Sequence, residues 1–191
     1  MVKSLFYIFF VLLILSGCSS DLPKQAYVDW VQNIDNGLIV RKEIGNFAFE
    51  LFYKPLDYQI LQAGENVTAI DSYKDTQHYT LKIESLSGVD VLKNGAIDDA
   101  EYNNRLFYLA DYIQNDLRLI ENGDTLPCLF SHYERNYGLA PYAKVTFAFQ
   151  AHANSSYSEK TIQYDDPVFG AGRLHFHYSK SVLENIPNLK K

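Results

Sequence analysis

Along much of the chain, apolar and polar residues take turns with a period of two, the pattern of a strand with one buried and one wet face. In HYTLKIES, residues 78–85, Tyr79, Leu81 and Ile83 are expected to point inward and Thr80, Lys82 and Glu84 outward. The stretch GLIVRKEIGNFAFELFYKP, residues 37–55, sets Leu38, Val40, Phe47, Phe49, Leu51 and Tyr53 at alternate positions on either side of Gly45-Asn46. A two-residue Gly-Asn loop between two such runs predicts a β-hairpin with a primed turn. Asn122-Gly123 predicts a second hairpin, between DLRLI and TLPCLFSHYE. AKVTFAFQAH, with Val145, Phe147 and Phe149 on one face, EKTIQYD and GRLHFHYS read as further strands.

Elsewhere the period lengthens to that of a helix. Tyr27, Trp30, Val31 and Ile34 make a short amphipathic turn ended by Asn36-Gly37, with Trp30 expected to cover the bottom of the domain. Pro55 opens PLDYQILQ, which Gly64 closes. One long helix is expected over about residues 98–115. There Asp98 caps, Glu101 completes a capping-box-like pair, Ile97 staples against Tyr102, and Tyr102, Leu106, Leu109 and Ile113 line one face. The tail, SVLENIPNLKK, reads as one helical turn. About eight short strands, one interior helix and no βαβ rhythm predict a mainly β fold, an antiparallel β-sandwich with short helical turns, in one domain over residues 25–191.

The most apolar run stands apart from all of this. Lys3 precedes the unbroken apolar residues 5–15, and polar Ser16, Ser19, Ser20 and Asp21 follow. That is the layout of a secretory signal peptide, expected over residues 1–17. The run is too short for a membrane span, which takes roughly 20 apolar residues. Its end, Leu15-Ser16-Gly17-Cys18, resembles the lipobox of bacterial lipoproteins. The resemblance implies that Cys18 becomes the first mature residue and carries a thioether-linked diacylglycerol with a further N-acyl chain, palmitate among the usual acids, and that residues 18–24 are a lipidated tether. Two or more acyl chains hold a protein durably, because each buried methylene contributes ~0.8 kcal/mol. The same resemblance implies export to the bacterial cell envelope, and Ser19 in place of Asp implies the outer membrane rather than the inner.

Charge narrows the partners. The chain carries a net charge of −6, and losing residues 1–17 removes one lysine and no acid. An acidic balance without clustered Lys and Arg argues against nucleic acid. Of the two cysteines, lipidation of Cys18 leaves Cys128 alone, in the apolar run DTLPCLF, where a structural buried thiol is expected rather than a nucleophile. The sequons at Asn66 and Asn154 read as chance beside a lipobox.

Three constellations carry possible chemistry. His175 and His177 in LHFHY share a strand face and are weak metal candidates, the alternative being that Leu174, Phe176 and Tyr178 form the buried face and the histidines face water. FSHYERNYGLAPY, residues 130–142, gathers His132, Glu134, Arg135 and Tyr137 as a candidate interaction surface. Its bland alternative is a strand end leading into a turn. The segment is similar to stretches in uncharacterised bacterial lipoproteins, which implies no activity. No nucleophile elbow, HExxH or Gly-rich phosphate loop is present, so no catalytic residue, metal or cofactor is assigned. The expectation is therefore a non-enzymatic binding or assembly module, held to a membrane by its lipid and serving an envelope protein partner. The alternatives are a small-ligand or glycan-binding lipoprotein using exposed tyrosines such as Tyr133, Tyr137 or Tyr142, and a hydrolase using His132 and Glu134.

Overall fold

A computed structural model describes residues 21–64, 73–151 and 158–190. The expected signal peptide over residues 1–17, Cys18 and the two sequons lie outside the described residues. Nine strands build two antiparallel sheets: β1 (Ile39–Ile44), β2 (Phe47–Lys54), β3 (Thr76–Ser85), β4 (Leu117–Glu121), β5 (Asp124–Pro127), β6 (Phe130–Glu134), β7 (Tyr142–Gln150), β8 (Lys160–Asp166) and β9 (Gly172–Tyr178). One sheet has the order β1-β2-β3-β7-β6 and the other β5-β4-β8-β9. Their inner faces pack as a sandwich, joined by fully buried Phe49, Leu51, Tyr79, Leu81, Phe147 and Phe149 from one sheet and Leu119, Ile162, Tyr164, Phe176 and Tyr178 from the other.

Local sequence accounts for both tight hairpins. Ile44 pairs Phe47 across Gly45-Asn46, with φ +57° at Gly45 alone, as a type II′ turn requires. Glu121 pairs Asp124 across Asn122-Gly123, where both residues have positive φ, the type I′ arrangement. The expected single strand TLPCLFSHYE, however, is two. Pro127 ends β5 in the four-stranded sheet, and β6 begins at Phe130 in the other. Proline has no N–H for a ladder, so the chain crosses between sheets at Pro127-Cys128-Leu129, and this raises the strand count from eight to nine.

Helices α1 (Lys24–Gln32), α2 (Leu56–Ala63), α3 (Asp99–Phe107) and α4 (Lys180–Glu184) decorate the sandwich. Tyr27 and Val31 of α1 are the fully buried residues, while Trp30 is only partly buried against the core. The long helix over 98–115 is helical throughout but not uniform: α3 passes into a π-turn, Tyr108–Tyr112, and a 3-10 turn, Ile113–Asp116. Its start is capped as expected, Asp98 accepting from the Glu101 N–H at 2.9 Å. Glu101 accepts from the Ile97 N–H at 3.0 Å rather than from Asp98. Ile97 forms no staple, being 88 % exposed. The face of Leu109 and Ile113 is fully buried, and it also holds an unforeseen Arg105. That guanidinium donates to Asn94 O at 2.7 Å and Glu101 at 2.8 Å, and lies over Phe47 and Phe169.

The two ends of the described residues meet at one end of the sandwich. Leu22 forms a parallel bridge with Leu189, through Leu22 N to Asn188 O at 2.9 Å and Lys190 N to Leu22 O at 2.8 Å. Leu22 therefore belongs to the folded body although it falls within the span read as tether.

Candidate functional site

The register of the five-stranded sheet aligns one charged residue from every strand. Arg41 of β1 stands opposite Glu50 of β2, Glu50 opposite Lys82 of β3, Lys82 opposite Lys144 of β7, and Lys144 opposite Glu134 of β6. The inward positions on either side are filled by the core, so this row lies on the sheet's outer face. The next row on that face runs Ile39, Phe52, Thr80, Thr146 and His132.

Two helices overhang this face at the Lys54 end of β2. Pro55 ends the strand and α2 follows at once, setting Tyr58 edge-on to Phe52 with ring centres 5.4 Å apart. The Tyr58 hydroxyl accepts from Gln32 Nε2 of α1 at 2.8 Å and from Gln62 Nε2 at 3.1 Å. Between helices and sheet lies an open cleft of about 480 Å³, within the usual range for small-ligand sites. Its floor comes from Glu50, Phe52, Lys54, Thr80, Lys82 and Lys144, and Glu134, Gln32, Tyr58 and Gln62 stand at its sides.

The charges in the cleft are unevenly matched. Arg41 is fully engaged, 3.0 Å from Glu84 and 3.1 Å from Glu43, with Glu50 at 3.7 Å. Glu84 also takes Lys82 at 3.3 Å, and the Arg41 hydrogen bond, seconded by Lys82, holds its carboxyl below the usual range. Lys82 and Lys144 lie side by side over the Tyr142 ring, 5.1 and 5.3 Å from its centre. Like charges directly opposite each other in a sheet are destabilising. Lys144 makes no ion pair among the described residues, and neither does Lys54. Burial pushes the Lys54 ammonium below its ordinary range, with Glu134 opposing that shift and Lys144 adding to it. Next to Lys54 in the ladder, His78 is pushed down to about 4 by burial and then by the Lys54 charge.

The residues singled out from sequence are dispersed. Glu134 lines the cleft, whereas His132 is exposed in the adjacent row opposite Thr146 and is not part of the cleft wall. Arg135 and Tyr137 leave the sheet altogether. The guanidinium stacks on the Tyr137 ring at 5.1 Å, in a loop where Tyr137 has φ +54°. This loop belongs to the end of the sheet opposite the two ends of the described residues, where Ile44, Leu86, Val89, Tyr137 and Leu139 are exposed. Tyr133 packs against the core from the inner side. His175 and His177 face solvent on β9 while Leu174, Phe176 and Tyr178 are buried. His177 Nδ1 meets Thr161 Oγ1 at 3.2 Å, and among the described residues no three His, Cys, Asp or Glu gather as a metal site. Cys128 is partly buried, its thiol donating to Phe130 O at 3.1 Å and pushed up to about 11 by burial.

The chain matches no protein-family model, no curated protein and no solved structure. The cleft therefore rests on its own geometry. A second hollow, beside Lys93, Ile97 and Tyr102 at the start of α3, has its helix terminus already satisfied by Asp98 and Glu101. The lysines of the cleft escaped the sequence reading because Lys54, Lys82 and Lys144 are 28 and 62 positions apart along the chain. The outward alternation of Lys82 was legible; its partner across the ladder was not.

Proposed function

We propose that this protein is a lipid-anchored envelope lipoprotein that works as a binding module, with the outer face of the five-stranded sheet as its binding surface. The observation that carries the reading is the charged row across that face, in which Lys82 and Lys144 stand side by side and Lys144 has no ion-pair partner among the described residues. A sheet that keeps such a repulsion on the floor of a cleft holds a stabilising interaction in reserve for a ligand. The anchor half of the reading is supported by the Leu15-Ser16-Gly17-Cys18 pattern behind an apolar run. It is in keeping with this that Leu22 lies beside the C-terminal tail, at the end of the domain away from the exposed loops. A hydrolase reading has less support: His132 stands outside the cleft wall, and the Cys128 thiol at about 11 is a weak nucleophile.

The test has two arms in cells. Metabolic labelling with radioactive palmitate labels the wild-type chain and leaves Cys18→Ser unlabelled and unprocessed. A photo-crosslinking residue at Gln62, on the cleft wall, gives envelope adducts, and the same residue at His175, on the other sheet, gives none. Labelled Cys18→Ser overturns the anchor, and equal adducts at the two positions overturn the binding surface.

A further inference from the structure

We infer that the cleft takes a small polyhydroxylated acid, a sugar carrying a single carboxylate or phosphate, with the acid group among Lys54, Lys82 and Lys144. The inference rests on the binding surface proposed above and adds the chemistry of its occupant.

The charge count sets the acid. Three ammonium groups and two carboxylates, Glu50 and Glu134, line the cleft; Glu84 beside it takes Lys82, which leaves Lys54 and Lys144 without an ion pair among the described residues. An anion there supplies the missing partner and relieves the Lys82–Lys144 repulsion. Charge-assisted hydrogen bonds to an anion are also the stronger kind. The Lys82 and Lys144 ammoniums are held in place over Tyr142, so little ordering is left for a ligand to impose. Burial of Lys54 adds to this, since a half-desolvated ammonium gains more from a counter-ion than a hydrated one.

The remaining wall sets the body of the ligand. Glu50 and Glu134 are acceptors for hydroxyl groups, while the amides of Gln32 and Gln62 both donate and accept. Thr80 Oγ1 is hydrogen-bonded to Thr146 Oγ1 at 3.1 Å and keeps a lone pair for a ligand. Phe52, propped edge-on by Tyr58, offers one aromatic surface to the C–H face of a ring. Donors, acceptors and one apolar surface around a positive pole describe an acidic saccharide better than a fatty acid, which would leave the amides and carboxylates unpaired.

Calorimetric titration of the full, lipidated chain in detergent tests this. The probes are a panel of hexuronates and hexose 6-phosphates, the parent hexoses and inorganic phosphate. Sugar acids are expected to bind, with the parent hexoses and free phosphate each weaker by about tenfold or more, equivalent to one charge-assisted contact or the hydroxyl contacts. The uronate and phosphate arms say which acid the site prefers, and a preference for either supports the assignment. Lys144→Gln and Lys54→Gln each weaken the acids by about tenfold without lowering the thermal midpoint, and Arg173→Gln on the other sheet leaves their affinity as it was. Hexoses binding as tightly as their acids, or wild-type affinity in Lys144→Gln, overturns it. So does a panel that does not bind at all. If the Gln62 adducts persist in that last case, only the sugar-acid assignment falls; if they are lost as well, the binding surface falls with it.

Discussion

The phenol of Tyr178 donates a 2.9 Å hydrogen bond to the backbone carbonyl of Leu51, from β9 in one sheet to β2 in the other. It lies within an aromatic cluster in which Tyr178 also meets Tyr53 and Tyr79, at ring separations of 6.0 and 6.2 Å. Removing the hydroxyl leaves the packing intact and isolates the hydrogen bond. Tyr178→Phe should lose about 1 kcal/mol of stability. In a domain of this size that lowers Tm by roughly 2–4 °C. A thermal melt with no shift would show that this hydrogen bond adds nothing to the packing between the sheets.

A second link between the sheets is a hydrogen bond that ends on an ion pair buried within the four-stranded sheet. Glu121 of β4 and Lys160 of β8 pair at full burial, and Gln77 of β3 donates to the same carboxylate at 2.9 Å. Removing one partner strands a buried charge, so Lys160→Met should cost about 3–5 kcal/mol. The double substitution Glu121→Leu with Lys160→Met should recover most of that, since it leaves no buried charge unpaired. Urea midpoints for the wild type and the two variants decide it, and a double variant as weak as the single one contradicts the argument.

Gly37 joins the beginning of the fold to its end. It has φ +79°, and a Cβ there would sit 3.0 Å from Cγ2 and 3.2 Å from Cγ1 of Val182 in α4. Gly37→Ala should cost about 1–2 kcal/mol from the left-handed backbone alone, with the clash added. Combining it with Val182→Ala should remove the clash but not the backbone cost. The double variant is then more stable than the sum of the singles by roughly 0.5 kcal/mol or more. Strict additivity in denaturant unfolding would mean that α4 moves aside freely.

His78 makes stability depend on pH. Its imidazole is pushed from an ordinary 6.5 to about 4 by burial and then by Lys54. Between these values the unfolded chain binds a proton that the folded one refuses. The contribution is therefore complete above pH 6.5 and is lost as the pH falls towards 4, by about 3 kcal/mol in all. His78→Gln should show a shallower fall in urea midpoint over that window, the carboxylates being common to both proteins. Parallel profiles would mean that His78 titrates normally in the fold.

Much of this architecture could be read from short stretches. Gly45-Asn46 and Asn122-Gly123 carry their hairpins within four residues, and Tyr79, Leu81 and Ile83 declare their face by spacing alone. What escaped the reading depends on distance along the chain. Nothing in TLPCLFSHYE says that the two halves pair with different sheets, because both read as strand and the corner at Pro127-Cys128-Leu129 carries no turn signal beyond one proline. The π-turn at Tyr108–Tyr112 is hidden because Leu109 and Ile113 stay on one face in either kind of helix. The cleft is the extreme case: Gln32 and Tyr58 meet across 26 positions, and the lysines meet only through the register of three strands. The residues of 130–142 part company for the same reason, since Glu134 lines the cleft while Arg135 and Tyr137 lie in the loop beyond β6.

The bridge between Leu22 and Leu189 bears on the anchor proposed at Cys18. A chain spans at most ~14 Å over four residues, so a lipid there would hold the body close against the headgroups. A pull from the bilayer would then reach this clasp first and be shared with the residues around Leu189, which would make that tail a mechanical part of the proposed anchor.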